Sequence, residues 1–351
     1  MERIIEYRQL VYIITLFLLV QFLGLLIVFY FLPPVVAVPA QQQAPSSFNA
    51  IWFFLYVLAG TLFLLLLFRF YHGNAIYVII EGVIVVIASF YLFLIILGSI
   101  FPNQAAVPEV VAAAIGLPAL LMYAKYKKPW LRNEVAMIAS MGAGIVLGFL
   151  PFTVTFAFML IIAAYDYVAV FVTKHMLALG RQAVDRNMAL LVGSSEIELI
   201  PRSYLSKGSI KEIKKMLANT KIRNRQIKQA IKQGSFPVPT QTALGTGDLT
   251  MPLMLAVSAY FSFTSYFLAV VIAVGASAGL VFTMYLLKKY KIGLPAIPPL
   301  FSFISIALGL SFIARDAYKI SLLLLMLGFL VIGLMVFTTR RVASQHGRSI
   351  F

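Results

Sequence analysis

The sequence predicts an all-α protein that crosses a membrane many times, as a bundle of nine to ten transmembrane helices. Of its 351 residues, 62% are hydrophobic and 11% are charged, too few charges for the surface of a soluble protein of this length. Several nearly uncharged stretches reach about 18 residues or more, enough for a helix to cross a bilayer core of roughly 30 Å. Lysine and arginine concentrate on one side of these stretches, as in multi-pass membrane proteins.

Ten apolar spans account for most of the chain. The apolar residues of the fifth and sixth spans run on almost without interruption, as do those of the seventh and eighth. The first pair is divided near Pro151 and the second pair around residues 262–265. The predicted spans are residues 11–31, 50–70, 75–98, 107–124, 134–152, 153–173, 241–262, 264–287, 298–314 and 318–338.

The distribution of basic residues predicts a multi-pass protein of the cell membrane with both chain ends in the cytoplasm. The outer loops 32–49 and 99–106 contain no lysine or arginine, whereas the inner loops and the C-terminal tail do. Arg315 and Lys319, in the last outer loop, depart from this pattern. The net charge of +16 is explained by inner loops that face anionic lipid, so nucleic acid is not expected as a partner.

The spans and loops divide the chain into four segments. Residues 1–173 hold six spans, 174–240 form a basic cytoplasmic loop, 241–314 hold spans seven to nine, and 315–351 add a tenth span and a tail. The loop carries 13 Lys or Arg against 4 Asp or Glu. A capping box at 209–212 and a stop at Gly234 favour a basic amphipathic helix on the inner membrane surface, with a solvated linker as the alternative.

Three acids lie inside the predicted spans: Glu81, Asp166 and Asp248. A charged group in a membrane costs several kcal/mol, so each needs a reason. Asp166 lies about seven residues before the inner end of span six, and Asp248 about seven residues after the inner start of span seven. Adjacent antiparallel helices can therefore bring the two carboxylates face to face. For Glu81 a structural role, hydrogen-bonded in the bundle or reaching to the interface, is preferred over a functional one.

Two carboxylates in one site of low dielectric cannot both ionise, so one holds a proton that the other lacks. Such a pair supplies a general base for water and a general acid for the scissile carbonyl, without a cofactor. The chain has no cysteine, and its three histidines are too scattered to indicate a metal site.

The residues around the two aspartates indicate irregular backbone at a cavity. Asp166 stands in Tyr165-Asp166-Tyr167, and Asp248 ends Gly245-Thr246-Gly247-Asp248. Glycines let another backbone approach closely. Before span nine, the prolines of Leu294-Pro295-Ala296-Ile297-Pro298-Pro299 prevent regular helix on the same side of the membrane. Exposed backbone there could pair with an unwound peptide substrate.

These three motifs, in this order, resemble the presenilin and signal peptide peptidase family of GxGD-type intramembrane aspartyl proteases. The resemblance implies a presenilin-like bundle in which Asp166 and Asp248 are the catalytic pair and Pro295-Ala296-Ile297 shapes the site. It also implies no cofactor, transmembrane proteins as substrates and, by likeness to simple microbial members, no need for accessory subunits. Ile297 replaces the leucine of the family motif, and the tenth span exceeds the family's nine.

Other functions are compatible with parts of this pattern. An ion-coupled secondary transporter also uses intramembrane acids beside broken helices, although no inverted repeat is visible here. A prepilin-type peptidase shares the GxGD motif but cuts at the soluble side, and the proline motif and span number argue against it. A non-catalytic membrane scaffold would leave two buried acids unexplained.

Overall fold

A computed structural model describes residues 2–32, 51–52, 55, 59–60, 62–63, 75–102, 107–173, 176, 188–189, 191–201, 235–290, 293–313 and 317–348. Nine longer α-helices and two strands are defined within these ranges. They are α1 (Glu2–Phe31), α2 (Ala75–Ile100), α3 (Val107–Lys127), α4 (Arg132–Leu147), α5 (Phe152–Phe171), β1 (Leu191–Pro201), β2 (Ser235–Gly245), α6 (Thr246–Phe263), α7 (Tyr266–Tyr290), α8 (Ile297–Ile313) and α9 (Tyr318–Arg348). A short 3-10 helix, Pro129–Leu131, precedes α4.

The predicted helical membrane architecture is confirmed. Nine of the ten predicted spans overlap α1 to α9, whereas only scattered residues of the second span, 50–70, are described. The surface helix predicted at 209–234 lies outside the described residues. In the described part of the chain, six helices (α1, α2, α3, α5, α7 and α9) are long and apolar enough to cross a membrane, and α8 is a shorter apolar helix. The chain is a multi-pass membrane protein.

The divisions between spans five and six and between spans seven and eight fall where the sequence predicted them. Pro151 precedes α5, and Thr264 separates α6 from α7 in a left-handed conformation with a φ of 48°. The predicted start of span seven at residue 241 is wrong, because β2 continues to Gly245 and the helix begins at Thr246. Pro237 and Pro239 lack the amide hydrogens of a regular helix and hold this segment extended.

The described residues form two compact units. The smaller comprises the start of α1, up to Ile13, and the stretch from Gly193 to Ala243, where β1 and β2 pair in a two-stranded sheet. The sequence analysis missed these strands, which lie within the predicted basic loop or at its end. The larger unit, Ile14–Val192 and Leu244–Phe351, contains α2 to α9 and most of α1.

Within the larger unit, α6 and α8 occupy central positions. Helix α6 packs against α4, α5 and α7, while α8 packs against α5, α7 and α9. Close approach depends on glycines: a Cβ at Gly148 of α4 would lie 2.5 Å from the Val257 side chain of α6. A Cβ at Gly279 of α7 would lie 2.8 Å from the Leu300 backbone of α8. Helices α5, α6 and α8 carry Asp166, Asp248 and Ile297.

Candidate active site

Asp166 lies in α5, five residues before its last residue, and is only 6% exposed. Its Oδ2 accepts a hydrogen bond of 3.2 Å from the backbone amide of Ile297, the first residue of α8. The amides of a first helical turn have no partner within their own helix and favour a negative charge nearby. Because Pro298 and Pro299 follow and have no amide hydrogen, Ile297 supplies the donor at this end of α8.

Asp248 is the third residue of α6 and is half-buried. Its Oδ2 accepts a hydrogen bond of 3.1 Å from the backbone amide of Gly245, the last residue of β2. This contact is one half of a capping box, in which an acid in the first turn bonds the amide that precedes the helix. A Cβ at Gly245 would lie 3.2 Å from the same oxygen, so glycine there leaves room for the Asp248 carboxyl.

The two aspartates lie close enough to interact electrostatically, as predicted from their positions in neighbouring antiparallel spans. The position of Asp248 in its helix differs from the prediction. Asp248 lies in the first turn of α6, not about seven residues inside a helix, because the backbone before it is extended. Helix α5 packs against both α6 and α8, which brings Asp166 towards the two other motifs.

The remaining predicted site residues surround these carboxyls to different degrees. Thr246 begins α6, and its carbonyl accepts hydrogen bonds from the hydroxyls of Thr250 at 2.8 Å and Ser140 at 3.4 Å. Thr246 therefore ties the start of α6 to α4. Gly247 is exposed, and a Cβ there would meet nothing within 4 Å. Tyr165 is half-buried in α5, beside Asp166 in sequence.

The segment before α8 is irregular, as its prolines predicted. Leu294 and Pro295 lie outside any helix, and Ala296 is a bend that leads into α8. Leu294 is half-buried, whereas Pro295, Ala296 and Ile297 are buried. The structure thus joins this motif to Asp166 through a backbone amide.

Glu81 is held by three partners in the bundle. Its carboxylate forms an ion pair with Lys125 and accepts hydrogen bonds from the Tyr126 hydroxyl at 3.1 Å and from the Ala189 backbone amide. The side chains of Lys125 and Glu81 are 1% and 3% exposed. The pairing of Glu81 with Lys125 was not predicted, because α2 and α3 meet only in the fold. The geometry agrees with a structural role for Glu81.

A second contact that the sequence analysis missed joins α5 to α9. The hydroxyls of Tyr167 and Thr338 are hydrogen-bonded to each other. In the sequence, Tyr167 stands out only as a neighbour of Asp166. No local pattern signals this pair, since 171 positions separate its members.

Comparison with known proteins identifies related sequences and folds. Residues 14–301 match the family described as signal-peptide peptidase, presenilin aspartyl protease. The chain is also similar to a solved structure of a presenilin family intramembrane aspartate protease, with a TM-score of 0.50 and 20% sequence identity. That likeness covers 84% of this chain and 93% of the other, and at this identity it concerns the fold. No curated protein matches the chain.

Proposed function

Because the chain belongs to the signal-peptide peptidase and presenilin family of intramembrane aspartyl proteases, we propose that Asp166 and Asp248 are its catalytic pair. The enzyme hydrolyses peptide bonds within the transmembrane segments of other membrane proteins. The observations that carry this proposal are the electrostatic interaction between the two carboxyls and the backbone amide that donates a hydrogen bond to each of them. Ion transport has no comparable support, because the matched family consists of proteases.

The proposed reaction needs one proton shared by the two carboxyls. The ionised aspartate takes a proton from a water molecule, whose oxygen attacks the carbonyl carbon of the substrate. The protonated aspartate gives its proton to the carbonyl oxygen, which yields a tetrahedral intermediate. The aspartate that took the proton from water then gives it to the amide nitrogen, while the other aspartate takes a proton from a hydroxyl of the intermediate. The carbon–nitrogen bond breaks and two chains, an acid and an amine, are released. A pair that shares one proton can return to its starting state after each cycle.

Substrate binding at this site requires an unwound peptide, because a helix shields its own peptide bonds. Two features support binding of an extended segment beside the aspartates. Residues 293–296 are non-helical before α8, and the open space at Gly247 allows another backbone to approach Asp248. Exposed backbone groups in such a segment can hydrogen-bond an added strand. Leu294, Pro295 and Ala296 accordingly shape the site.

We further propose that the protein lies in the cell membrane, with both chain ends and the basic loop on the cytoplasmic side. The aspartates then lie towards the cytoplasmic side, and substrates enter from the bilayer. The proposed enzyme acts alone, without accessory subunits, so the purified chain is the material for the test.

Cleavage by the purified protein in lipid vesicles tests the proposal. The substrate is a single-span reporter peptide, and mass spectrometry locates the broken bond. The native chain is compared with Asp166→Ala and Asp248→Ala. Glu109→Gln serves as a control, because Glu109 is an exposed acid at the start of α3. Variants are compared at equal amounts of folded protein.

We expect the native chain and the control to cut within the span, and both aspartate variants to be inactive. Cleavage that survives either aspartate substitution would show that the pair is wrongly assigned. Cleavage only outside the span would instead favour a peptidase that acts at the soluble side, of the prepilin type.

A further inference from the structure

We propose that α9 positions the catalytic aspartate Asp166, through a hydrogen bond between Tyr167 and Thr338 that prevents rotation or shift of α5. The inference rests on the proposed function, since it concerns the placement of Asp166. Helix α9 lies beyond the stretch that matches the protease family, which ends at residue 301. Its role therefore does not follow from the family match.

Helix α9 is closely packed along α8, the helix whose first amide bonds Asp166. The Ser321 hydroxyl of α9 donates a hydrogen bond of 2.7 Å to the Gly309 carbonyl of α8. A Cβ at Gly328 would lie 2.8 Å from the Ser302 carbonyl oxygen. Small residues thus let the two helix backbones approach each other, so α9 and α8 are expected to move together.

The hydrogen bond between Thr338 of α9 and Tyr167 of α5 has a defined donor and acceptor. Thr338 donates its own proton to the Leu334 carbonyl at 2.9 Å. A hydroxyl has a single proton, so Tyr167 is the donor and the Thr338 oxygen is the acceptor. Both side chains are half-buried. An uncharged interhelical hydrogen bond in such a place is specific for one arrangement of the two helices.

Tyr167 directly follows Asp166, and successive helical residues point about 100° apart around the axis. The Asp166 face of α5 is held by α8, and the Tyr167 face is held by α9. A rotation or shift of α5 would break both contacts. The Tyr167–Thr338 hydrogen bond therefore opposes movements that would change the distance between Asp166 and Ile297.

A third contact lies near the same end of α9. The Arg340 side chain donates a hydrogen bond of 3.3 Å to the hydroxyl of Tyr290, the last residue of α7. Tyr290 directly precedes the segment that leads to Ile297. Helix α9 thus contacts α5, which carries Asp166, as well as α8, which carries its partner Ile297, and α7, which precedes that segment in sequence. This arrangement is expected of a positioning element.

The test uses the whole chain, the single-span reporter, three single variants, the double variant of Tyr167→Phe with Thr338→Val, and a control. Thr338→Val removes the acceptor, Tyr167→Phe removes the donor, and Thr338→Ser keeps a hydroxyl. Thr283→Val is the matched control, because the buried Thr283 hydroxyl bonds only the Gly279 carbonyl of its own helix among the contacts described. Intact active sites are counted by titration with a tight-binding peptide inhibitor that has a hydroxyl group on a tetrahedral carbon in place of the scissile carbonyl. The rate constant kcat is then expressed per active site.

We expect Thr338→Val and Tyr167→Phe each to lower kcat per site about three- to tenfold, as for loss of one positioning hydrogen bond. KM and the number of titrated sites should stay within about twofold of native. The double variant should be no worse than either single variant, because both remove the same bond. Thr338→Ser and the control should retain native kcat.

Other outcomes would overturn the inference. A native kcat per site in Thr338→Val means that the hydrogen bond does not position Asp166. A fall in titrated sites alone means that the bond only stabilises the fold. If Asp166→Ala or Asp248→Ala remained active, the proposed function itself would fail; if both are inactive while Thr338→Val is native, only this inference fails.

Discussion

The two aspartates of the candidate site are held by backbone rather than by other side chains. Asp166 bonds the first amide of α8, and Asp248 bonds the amide that precedes α6. A backbone donor cannot be removed by replacing a side chain, so the position of each carboxyl depends on where an element begins. The prolines after Ile297 and the glycine at 245 set those two starting points.

If the two aspartates share one proton, as proposed, we expect a bell-shaped dependence of the cleavage rate on pH. At low pH both aspartates are protonated and no base remains; at high pH both are ionised and no acid remains. The two apparent pKa values belong to the pair rather than to either residue. Initial rates measured over a pH series, with Glu109→Gln in parallel, check this. A rate that changes in one direction only would contradict a one-proton pair.

The ion pair of Glu81 and Lys125 is expected to stabilise the fold. Lys125→Met leaves the Glu81 carboxylate buried without its cation, which costs roughly 3–5 kcal/mol of unfolding free energy. The double variant Glu81→Gln with Lys125→Met removes the uncompensated charge and should recover much of the loss. Unfolding midpoints in a denaturing-detergent titration measure both effects. Single and double variants of equal stability would refute the pairing.

At the scale of elements, the contact of α7 with α8 controls the position of Ile297. The backbone of Leu300 lies three residues after Ile297 and directly against Gly279. Gly279→Ala places a Cβ 2.8 Å from this backbone, so one of the two helices must shift, and we expect the distance between the amide of Ile297 and Asp166 to change. We expect at least a tenfold lower kcat, since a displacement of about 1 Å can cost roughly that or more.

Gly116→Ala is the control for this substitution. It adds the same methyl group in α3, where a Cβ would meet nothing within 4 Å. Both changes improve intrinsic helix propensity, so propensity alone cannot account for a difference between them. Reporter cleavage and unfolding midpoints are measured for both. Equal activity of the two variants would mean that the close contact of α7 with α8 does not matter for the site.

The sequence predicted helices better than it predicted their starting points. Apolar length alone located nine spans, and the breaks at Pro151 and Thr264 followed from residues that interrupt a helix. The strands β1 and β2 were missed because their hydrogen bonds join segments more than thirty residues apart. Pro237 and Pro239 exclude a regular helix, but they do not reveal that the extended segment continues to Gly245.

The same reasoning explains which site residues the sequence could predict. Asp166 and Asp248 stand out because acids are rare inside apolar spans. The partners of Glu81 and Tyr167 did not stand out, because lysine, tyrosine and threonine are common near membrane interfaces. Their roles depend on which helices become neighbours, a property that only the fold determines.

At the scale of the whole molecule, the charge distribution predicts the orientation in the membrane. The chain lacks cysteine, so a single introduced thiol reports one position. Ser99 lies near the end of α2 that is predicted to face outwards and Ser344 near the end of α9 that is predicted to face the cytoplasm, and both serines are exposed. A membrane-impermeant maleimide should label Ser99→Cys in intact cells and Ser344→Cys only after lysis. Labelling of Ser344→Cys in intact cells would contradict the cytoplasmic C-terminus.

The central claim is that Asp166 and Asp248 form one catalytic unit, and comparison of single and double substitutions tests it most directly. Reporter hydrolysis is measured by mass spectrometry for the native chain, Asp166→Asn, Asp248→Asn and the double variant. Groups that act together lose nearly all activity with the first substitution and little with the second. We expect equal, near-background rates in all three variants. Substantial hydrolysis by either single variant, or a further large loss in the double variant, would contradict the claim.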